Sequence, residues 1–184
     1  MKYVNFEKIS IVNFLSVGDD PVVVEFGRGL HIITGLNKDK QDRRNGVGKS
    51  TIADAIHFAI FGSTVRELKK ENIVNNINMK GCHVEVDMNI VDENNKSQNV
   101  KIVRMLEPSR CNLYINGEDK TRDSIANTSE YICNLLNTTQ EVFQNCVIMS
   151  LNNTIPFMAK KKVEKRKFIE GIFNLEVFSQ MLKR

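Results

Sequence analysis

The sequence lacks a long apolar run, a close cysteine pair and a secretory opening. No stretch is apolar enough over enough residues to span a bilayer, and residues 1–7 do not show the basic-then-apolar pattern of a signal peptide. We therefore expect a cytoplasmic protein with no membrane partner. The four cysteines contain no C-x-x-C pair, which argues against a zinc site or a disulfide framework and favours reduced, partly buried thiols.

A net excess of positive charge is found only near one end of the sequence. The 184 residues carry a net charge of +4, and residues 160–184 alone hold eight Lys/Arg against three Glu. Two interpretations of this basic segment stay open: a contact with the phosphates of DNA, or the solvated start of a helix. The candidate DNA contacts are Lys160, Lys161, Lys162, Lys165 and Arg166.

Hydrophobic patterning predicts an α/β domain with an antiparallel subsheet. Alternating or β-branched runs predict strands over residues 3–14, 22–26, 30–34, 82–91, 100–106 and 112–115. Helices are expected over residues 50–61, 123–136 and 163–182, and residues 142–149 indicate a short strand or a helix-to-strand transition. The run at 30–34 is typical of a buried strand, and the nearly all-apolar helix at 50–61 is typical of a core. Within that helix, His57 is expected to be a satisfied core histidine.

A glycine-bearing loop lies between the strand predicted at 30–34 and that helix. Its sequence is Asn45, Gly46, Val47, Gly48, Lys49, Ser50 and Thr51. Phosphate binding needs backbone N–H groups and a close approach that side chains would block, and glycines at a helix N-terminus supply both. Lys49 is then placed to reach the β- and γ-phosphates of ATP, Ser50 to coordinate Mg²⁺, and Thr51 to contact the α-phosphate.

The loop departs from the general phosphate-loop pattern at its upstream glycine. That pattern, G-x-x-x-x-G-K-[ST], expects a glycine upstream of Gly48, and neither Arg43 nor Arg44 is a glycine. Gly35, directly after the predicted strand, supplies the missing glycine if residues 37–44 are a charged insertion. We expect this insertion to be a mobile surface flap beside the nucleotide.

Residues 45–62 resemble the phosphate loop and first helix of SMC-like recombination ATPases of the SbcC type, and the large subunit of phage recombination endonucleases looks especially close. In that family an N-G-x-G-K-S-T loop runs into a helix of the form h-x-A-h-x-F-x-h-F-G. Residues 11–18 are similar to the family's first strand and turn, and residues 155–158 and 166–175 to its passage from head to coiled coil. Asn13 and Ser16 are therefore candidate nucleotide contacts, with an ordinary polar turn as the alternative.

The resemblance implies an ABC-type P-loop ATPase head lobe, with residues 1–160 as the N-terminal lobe and residues 161–184 starting a coiled-coil stem. Its implied ligands are ATP and Mg²⁺, in the cytoplasm of the host if a phage encodes it. Its implied partners are the C-terminal lobe of the same ATPase, a second copy of the head, a nuclease of the SbcD type and double-stranded DNA. A family glutamine that reaches Mg²⁺ falls near Leu151 here, which leaves Ser150 and Asn152 as alternatives.

No strand ending in paired acids and no signature motif is found in the sequence, so the catalytic base is expected from the other lobe. ATP binding and hydrolysis would then drive the processing of DNA ends by the partner nuclease. The alternative is a self-contained P-loop module or a small kinase. A kinase needs an acceptor site and a lid, and the sequence offers only Arg43 and Arg44 toward a lid.

Overall fold

The computed structural model describes residues 2–38, 44–149, 157–173 and 181. The chain divides into two compact units, residues 1–132 and 133–184. The boundary that we predict at residue 160 lies within the second unit and stays a prediction. In the described residues, no helix combines the length and the apolar character needed to cross a membrane.

The first unit is built on a six-stranded antiparallel sheet with the strand order β2-β1-β3-β4-β5-β6. Its strands are β1 (Tyr3–Val12), β2 (Val22–Glu25), β3 (Cys82–Val91), β4 (Ser97–Leu106), β5 (Arg110–Ile115) and β6 (Glu118–Asp119). Residues Asn116 and Gly117 join the last two strands, both with positive φ (51° and 83°), as a two-residue hairpin turn requires. The antiparallel subsheet predicted from the sequence is thus confirmed.

Alternation along β3 decides which face of the sheet is buried. Val84, Val86, Met88 and Ile90 are at most 3% exposed, whereas the residues between them are partly exposed. Helix α1 (Thr51–Phe61) packs against β3 and β4 on the buried face. The rings of Phe14 and Phe58 lie 5.3 Å apart in this core, so the end of β1 and the middle of α1 are held together.

The strand predicted at residues 30–34 is absent from the structure. Leu30 and Ile32 are 92% and 79% exposed, and the segment pairs with no described strand. An apolar run shows that a segment prefers burial, but a strand also needs a neighbour for its backbone N–H and C=O groups. That neighbour is not among the described residues.

Helix α2 (Ile125–Leu136) confirms the helix predicted at 123–136, and α3 (Gln140–Cys146) and α4 (Lys162–Ile172) follow in the second unit. Residues 142–149, predicted as a short strand or a helix-to-strand transition, contain no strand: α3 extends through Cys146, and residues 147–149 are turn and irregular structure. Thr139 caps α3, with its hydroxyl accepting from the Val142 N–H at 3.3 Å. The apolar stripe predicted along α4 continues to Val177 and Leu182, which lie outside the described residues.

The cysteines are free where the sequence predicts free thiols. Cys82 and Cys111 are buried, and burial raises the pKa of the Cys82 thiol to about 12. The thiolate is therefore disfavoured at Cys82, and this side chain acts as a small apolar group in the core.

Arg104, on β4, is a buried cation that closes the C-terminal end of α1. Its guanidinium is 5% exposed and donates to the carbonyl oxygens of Ala59 at 2.9 Å and Ile60 at 3.1 Å. A third bond at 2.9 Å reaches the Ser129 hydroxyl. The last carbonyls of a helix lack partners inside the helix, so Arg104 satisfies groups that burial would otherwise leave without hydrogen bonds.

Replacing Arg104 with methionine should lower the free energy of unfolding by about 3 kcal/mol, because two buried carbonyls lose a charged donor. Urea unfolding followed by circular dichroism measures this change. Lys101→Met is the matched control: it lies on the same strand, 43% exposed and paired with Glu85, and should cost no more than about 1 kcal/mol. Equal losses in the two variants would contradict the role assigned to Arg104.

Candidate functional site

Residues 45–51, the glycine loop that the sequence predicts to be a phosphate loop, run into the N-terminus of α1. Gly46 and Gly48 have φ values of 81° and 82°, in a region that side-chain-bearing residues rarely adopt. Ser50 precedes the helix, and the Thr51 N–H donates to the Gly48 carbonyl at 3.0 Å. The first N–H groups of a helix have no acceptor within the helix, so this end of α1 offers donors and partial positive charge to an anion.

Gly48 lies against the turn that follows β1. A Cβ atom at this position would sit 2.5 Å from the hydroxyl oxygen of Ser16, and that hydroxyl is hydrogen-bonded to the Thr51 hydroxyl at 2.9 Å. Ser16, a candidate from the sequence, therefore lies at the phosphate loop. Asn13 does not line the site: its amide oxygen accepts from the Asn78 side chain at 2.6 Å, which gives it a role in holding the turn.

Gly35, the candidate for the upstream glycine of the phosphate-loop pattern, lies close to that loop. A Cβ atom there would lie 1.9 Å from a methyl group of Val47 and 3.6 Å from Cγ of Lys49. Only glycine fits so close to the loop, although Gly35 precedes it by ten residues. The flap predicted at 37–44 falls largely on residues 39–43, which lie outside the described residues.

Lys49 already binds an oxygen at the loop. Its ammonium donates to the backbone carbonyl of Arg44 in a short hydrogen bond. A phosphate oxygen is likewise an acceptor that a lysine ammonium binds. Apart from the two chain neighbours of Gly46, no described residue has an atom within 4 Å of a Cβ added there. This space and the position of Lys49 both fit a polyphosphate.

A cavity of about 660 Å³ opens at the loop. Residues 45–51 form one part of its lining, the first wall, and the second wall consists of Arg66, Leu68, Glu71, Asn72, Val74 and Asn76. Sequence reasoning missed this second wall, since residues 63–78 carry neither periodicity nor a motif. Its side chains combine apolar groups, amides and charges of both signs, a mixture suited to a nucleotide.

The second wall is fastened to the end of β1. Phe14 and Val74 form an isolated bridge, and the Leu15 N–H donates to the Ile73 carbonyl at 2.8 Å. The Asn75 side chain donates to the Leu15 carbonyl at 3.0 Å. Leu15 and Ser16 also line the cavity, so the turn after β1 connects its two walls.

Ser50 is the described candidate for Mg²⁺. It immediately precedes α1 in the loop and lines the cavity. Within the described ranges, no three His, Cys, Asp or Glu side chains are grouped as a metal site. Mg²⁺ is usually held by one or two protein oxygens together with substrate phosphates and water. The second candidate, Asn152, and its alternative Ser150 lie outside the described residues.

His57 has the structural role that the sequence predicts. Its Nδ1 lies 2.6 Å from the Ser63 carbonyl oxygen, and the residue is fully buried. Burial lowers the pKa of the imidazole, although the bond to Ser63 opposes that shift. The ring is therefore neutral near pH 7 and satisfied within the core.

The basic cluster, residues 160–167, is not uniformly available to a ligand. In the second unit the Lys160 ammonium pairs with Glu141 at 2.7 Å and its side chain is 11% exposed. Arg166 pairs with Glu170 at 2.7 Å but remains 80% exposed, and Lys161 and Lys162 are exposed. Lys160 is thus engaged in packing, which leaves four of the five candidate DNA contacts.

A larger cavity, of about 990 Å³, lies elsewhere in the first unit, and Lys8, Asp87, Lys101 and Tyr114 contribute to its lining. These four residues are in register across neighbouring strands of the sheet. The lining also contains Glu7 and Glu25, so carboxylates outnumber ammonium groups. A polyphosphate is repelled by that balance, and the smaller cavity at the glycine loop fits it better.

Comparison with known proteins places this chain in a family and identifies relatives. The sequence model of a family described as AAA domain matches residues 8–184. Exonuclease subunit 2 of Escherichia phage RB69 is 26% identical over 184 residues, which cover all of this chain and 31% of that protein. Exonuclease subunit 2 of Enterobacteria phage T4 is 27% identical over 188 residues, with 100% and 31% covered.

Cellular proteins match as well. The DNA double-strand break repair Rad50 ATPase of Thermoplasma volcanium is 28% identical over 177 residues, which cover 92% of this chain and 18% of that protein. An Smc head domain of Pyrococcus furiosus, solved with an extended coiled coil and bound to the C-terminal domain of ScpA, has a TM-score of 0.48 and 21% identity. That match covers 76% of this chain and 35% of the other. The chain spans less than a third of the length of the curated relatives named here.

Proposed function

This chain belongs to the AAA domain family, whose model matches residues 8–184, and from that membership we propose that it binds ATP as part of an SMC-like ATPase head. The observation that carries the proposal is the phosphate loop at the start of α1, with two glycines at positive φ and Lys49 bound to an oxygen. Backbone N–H groups and the ammonium together neutralise a triphosphate.

The residues of this chain bind and orient the nucleotide. Lys49 would hold the β- and γ-phosphates, the N–H groups of residues 46–51 the phosphate oxygens, and Ser50 the magnesium ion. When bound, Mg²⁺ neutralises charge that develops on the phosphates during transfer to water. Orientation of that water is assigned to a base outside the described residues, because the acidic side chain among the described lining residues is the exposed Glu71.

The C-terminal lobe of the same ATPase is the proposed cover for residues 30–36. Four apolar side chains in this extended segment are exposed: Leu30, Ile32, Ile33 and Leu36. The segment contains Gly35, which lies close to Val47 of the phosphate loop. A strand contributed by the other lobe would bury these side chains and pair the free backbone, and would thereby fix the loop in place.

We assign hydrolysis to a pair of heads, each completed by its C-terminal lobe, with ATP bound between them. These heads would act with a nuclease of the SbcD type on double-stranded DNA ends. Relatives named exonuclease subunit 2 and DNA double-strand break repair ATPase support this role. Titration calorimetry of the 184-residue chain with Mg-ATP tests the binding step. Absence of binding would remove the basis for every later step.

DNA contact by the head is assigned to the basic cluster and should be sequence-indifferent, since lysines that bind phosphate carry no base code. Changing Lys161 and Lys162 together to alanine should flatten the log–log salt slope of DNA binding by the full head by about two units, at about 0.9 per phosphate neutralised. Fluorescence anisotropy over a salt series measures this slope.

Lys160→Ala is the matched control for that measurement. Because its ammonium is paired with Glu141 and largely buried, the salt slope should not change, although the second unit should lose stability. ATP affinity without DNA should stay the same in all three proteins. An unaltered slope in the Lys161/Lys162 variant would mean that the cluster is the solvated start of a helix.

A further inference from the structure

One buried acid in α1 has no part in the phosphate-loop chemistry described above. Asp54 lies one turn into the helix, and its side chain is 3% exposed. One carboxylate oxygen accepts from the Val65 N–H at 3.0 Å. The other accepts from two nitrogens of Arg66, Nε at 3.0 Å and Nη2 at 2.7 Å.

Arg66 connects this buried acid to the nucleotide cavity. Its side chain is 46% exposed and lines the same cavity as Lys49. A guanidinium has five N–H donors in a rigid fork, of which two are bound to Asp54. Three donors remain, and none of the described residues is paired with them. Because the guanidinium is planar, a carboxylate bound to one of its edges also fixes the direction of its other edge.

The Asp54–Arg66 ion pair also connects two segments that line the cavity. Asp54 ties α1 to the start of the second wall at Val65 and Arg66. The far end of that wall is tied to the turn after β1 through Ile73 and Leu15, and Ser16 in that turn is bonded back to Thr51. Hydrogen bonds thus connect the segments that line the cavity, and Asp54 supplies the charged link among them.

A buried ion pair contributes little net stability, because desolvation of the charges offsets their attraction. Arg66 is not deeply buried, however, and half of its side chain faces solvent at a site built for an anion. A cation that is oriented in advance loses little freedom when it binds phosphate. These properties favour a ligand-binding role over a purely structural tie.

We propose that Arg66 is a second cationic contact for the terminal phosphates of the bound nucleotide, on the second wall of the cavity that Lys49 also lines, and that Asp54 is the positioning residue that orients its guanidinium. The proposal rests on the proposed ATP binding at the phosphate loop. It assigns nucleotide recognition to the second wall, where the sequence shows no motif.

The test compares ATP, ADP and adenosine on the 184-residue chain and on Arg66→Gln and Arg66→Lys. A charged hydrogen bond to phosphate is lost in Arg66→Gln, so ATP affinity should fall roughly 10- to 100-fold. ADP affinity should fall less, and adenosine affinity should not change. Arg66→Lys keeps the charge and should recover part of the loss. Lys70→Gln, a charge change on the same segment outside the cavity lining, should bind all three ligands like the wild type.

Asp54→Asn examines the positioning role. The amide keeps an acceptor for the Val65 N–H but loses the charge that orients the guanidinium, so ATP affinity should fall by a smaller factor than in Arg66→Gln. In the double variant the two losses should not add, because Asp54 acts through Arg66. Circular dichroism of each variant identifies any that do not fold, and Arg66→Gln alone still decides the main claim.

Two results would overturn the proposal. Unchanged ATP affinity in Arg66→Gln would show that the guanidinium does not contact the nucleotide. An equal loss for ATP, ADP and adenosine would show that the pair only supports the wall. Either result leaves the proposed ATP binding at the glycine loop intact if Lys49→Ala still weakens ATP binding. Failure of the wild-type chain to bind ATP would instead remove the proposed function, and this inference with it.

Discussion

The 184-residue chain should bind ATP and yet hydrolyse it at close to the uncatalysed rate. A water-orienting base contributes about 10²- to 10⁴-fold to such reactions, and we assign that base to the C-terminal lobe. Joining the chain to that lobe, under conditions in which two heads pair, should therefore raise turnover by at least about 100-fold. Phosphate release measured at matched head concentrations gives both rates.

The control for this comparison is the joined protein carrying Lys49→Ala, which should return to the background rate. A robust, Lys49-dependent rate in the 184-residue chain would contradict the assignment of the base to another lobe. Glu71, which lines the cavity, would then be the first residue to change, as Glu71→Gln. That result would also favour the alternative of a self-contained P-loop enzyme.

Lys49→Ala should weaken ATP binding by about 100-fold, because the triphosphate loses a charged hydrogen-bond donor in a partly enclosed site. The ammonium is already bound to a carbonyl oxygen beside the loop, so the side chain is in place to exchange that acceptor for phosphate. Titration calorimetry with Mg-ATP measures the change.

Lys80→Ala is the matched control, since Lys80 is exposed and absent from the cavity lining. Its ATP affinity should equal that of the wild type. Removal of Mg²⁺ with a chelator should weaken ATP binding in the wild type. Equal affinities in the Lys49→Ala variant and the wild type would refute the assignment of the phosphate loop.

The local sequence pattern was sufficient to predict most strands of the sheet. The alternation predicted for residues 82–91 is the burial pattern of β3, and the buried helix predicted after the glycine loop is α1, which ends at Gly62 with φ 78°. The family match over residues 8–184 and the Rad50 and phage relatives confirm the resemblance to SMC-like ATPases. In each case, the signal lies in neighbouring residues of the sequence.

Predictions that needed a tertiary partner were less accurate. Residues 30–34 have the composition of a buried strand but no neighbouring strand in the described structure. For residues 142–149 the sequence predicts a short strand or a helix-to-strand transition, whereas the structure has helix α3 through Cys146, capped by Thr139, and no strand over residues 147–149.

The two walls of the cavity show the same limit. The phosphate loop could be predicted because its chemistry needs glycines at fixed spacing. Asp54 and Arg66 are twelve residues apart, and they meet only because the chain turns back after the end of α1. The one signal available in the sequence was an acid within an otherwise apolar helix, where an unpaired charge is costly.

The central claim, that ATP binds at the glycine loop, is tested most directly by mapping the ligand with NMR. Mg-ATP added to the ¹⁵N-labelled chain should shift the backbone amides of residues 45–51 and of Arg66, since both walls of the 660 Å³ cavity would contact the nucleotide. The amides of Asp87 and Lys101, at the larger cavity in the same unit, should not move. Shifts centred on Asp87 and Lys101, with residues 45–51 unaffected, would contradict the account.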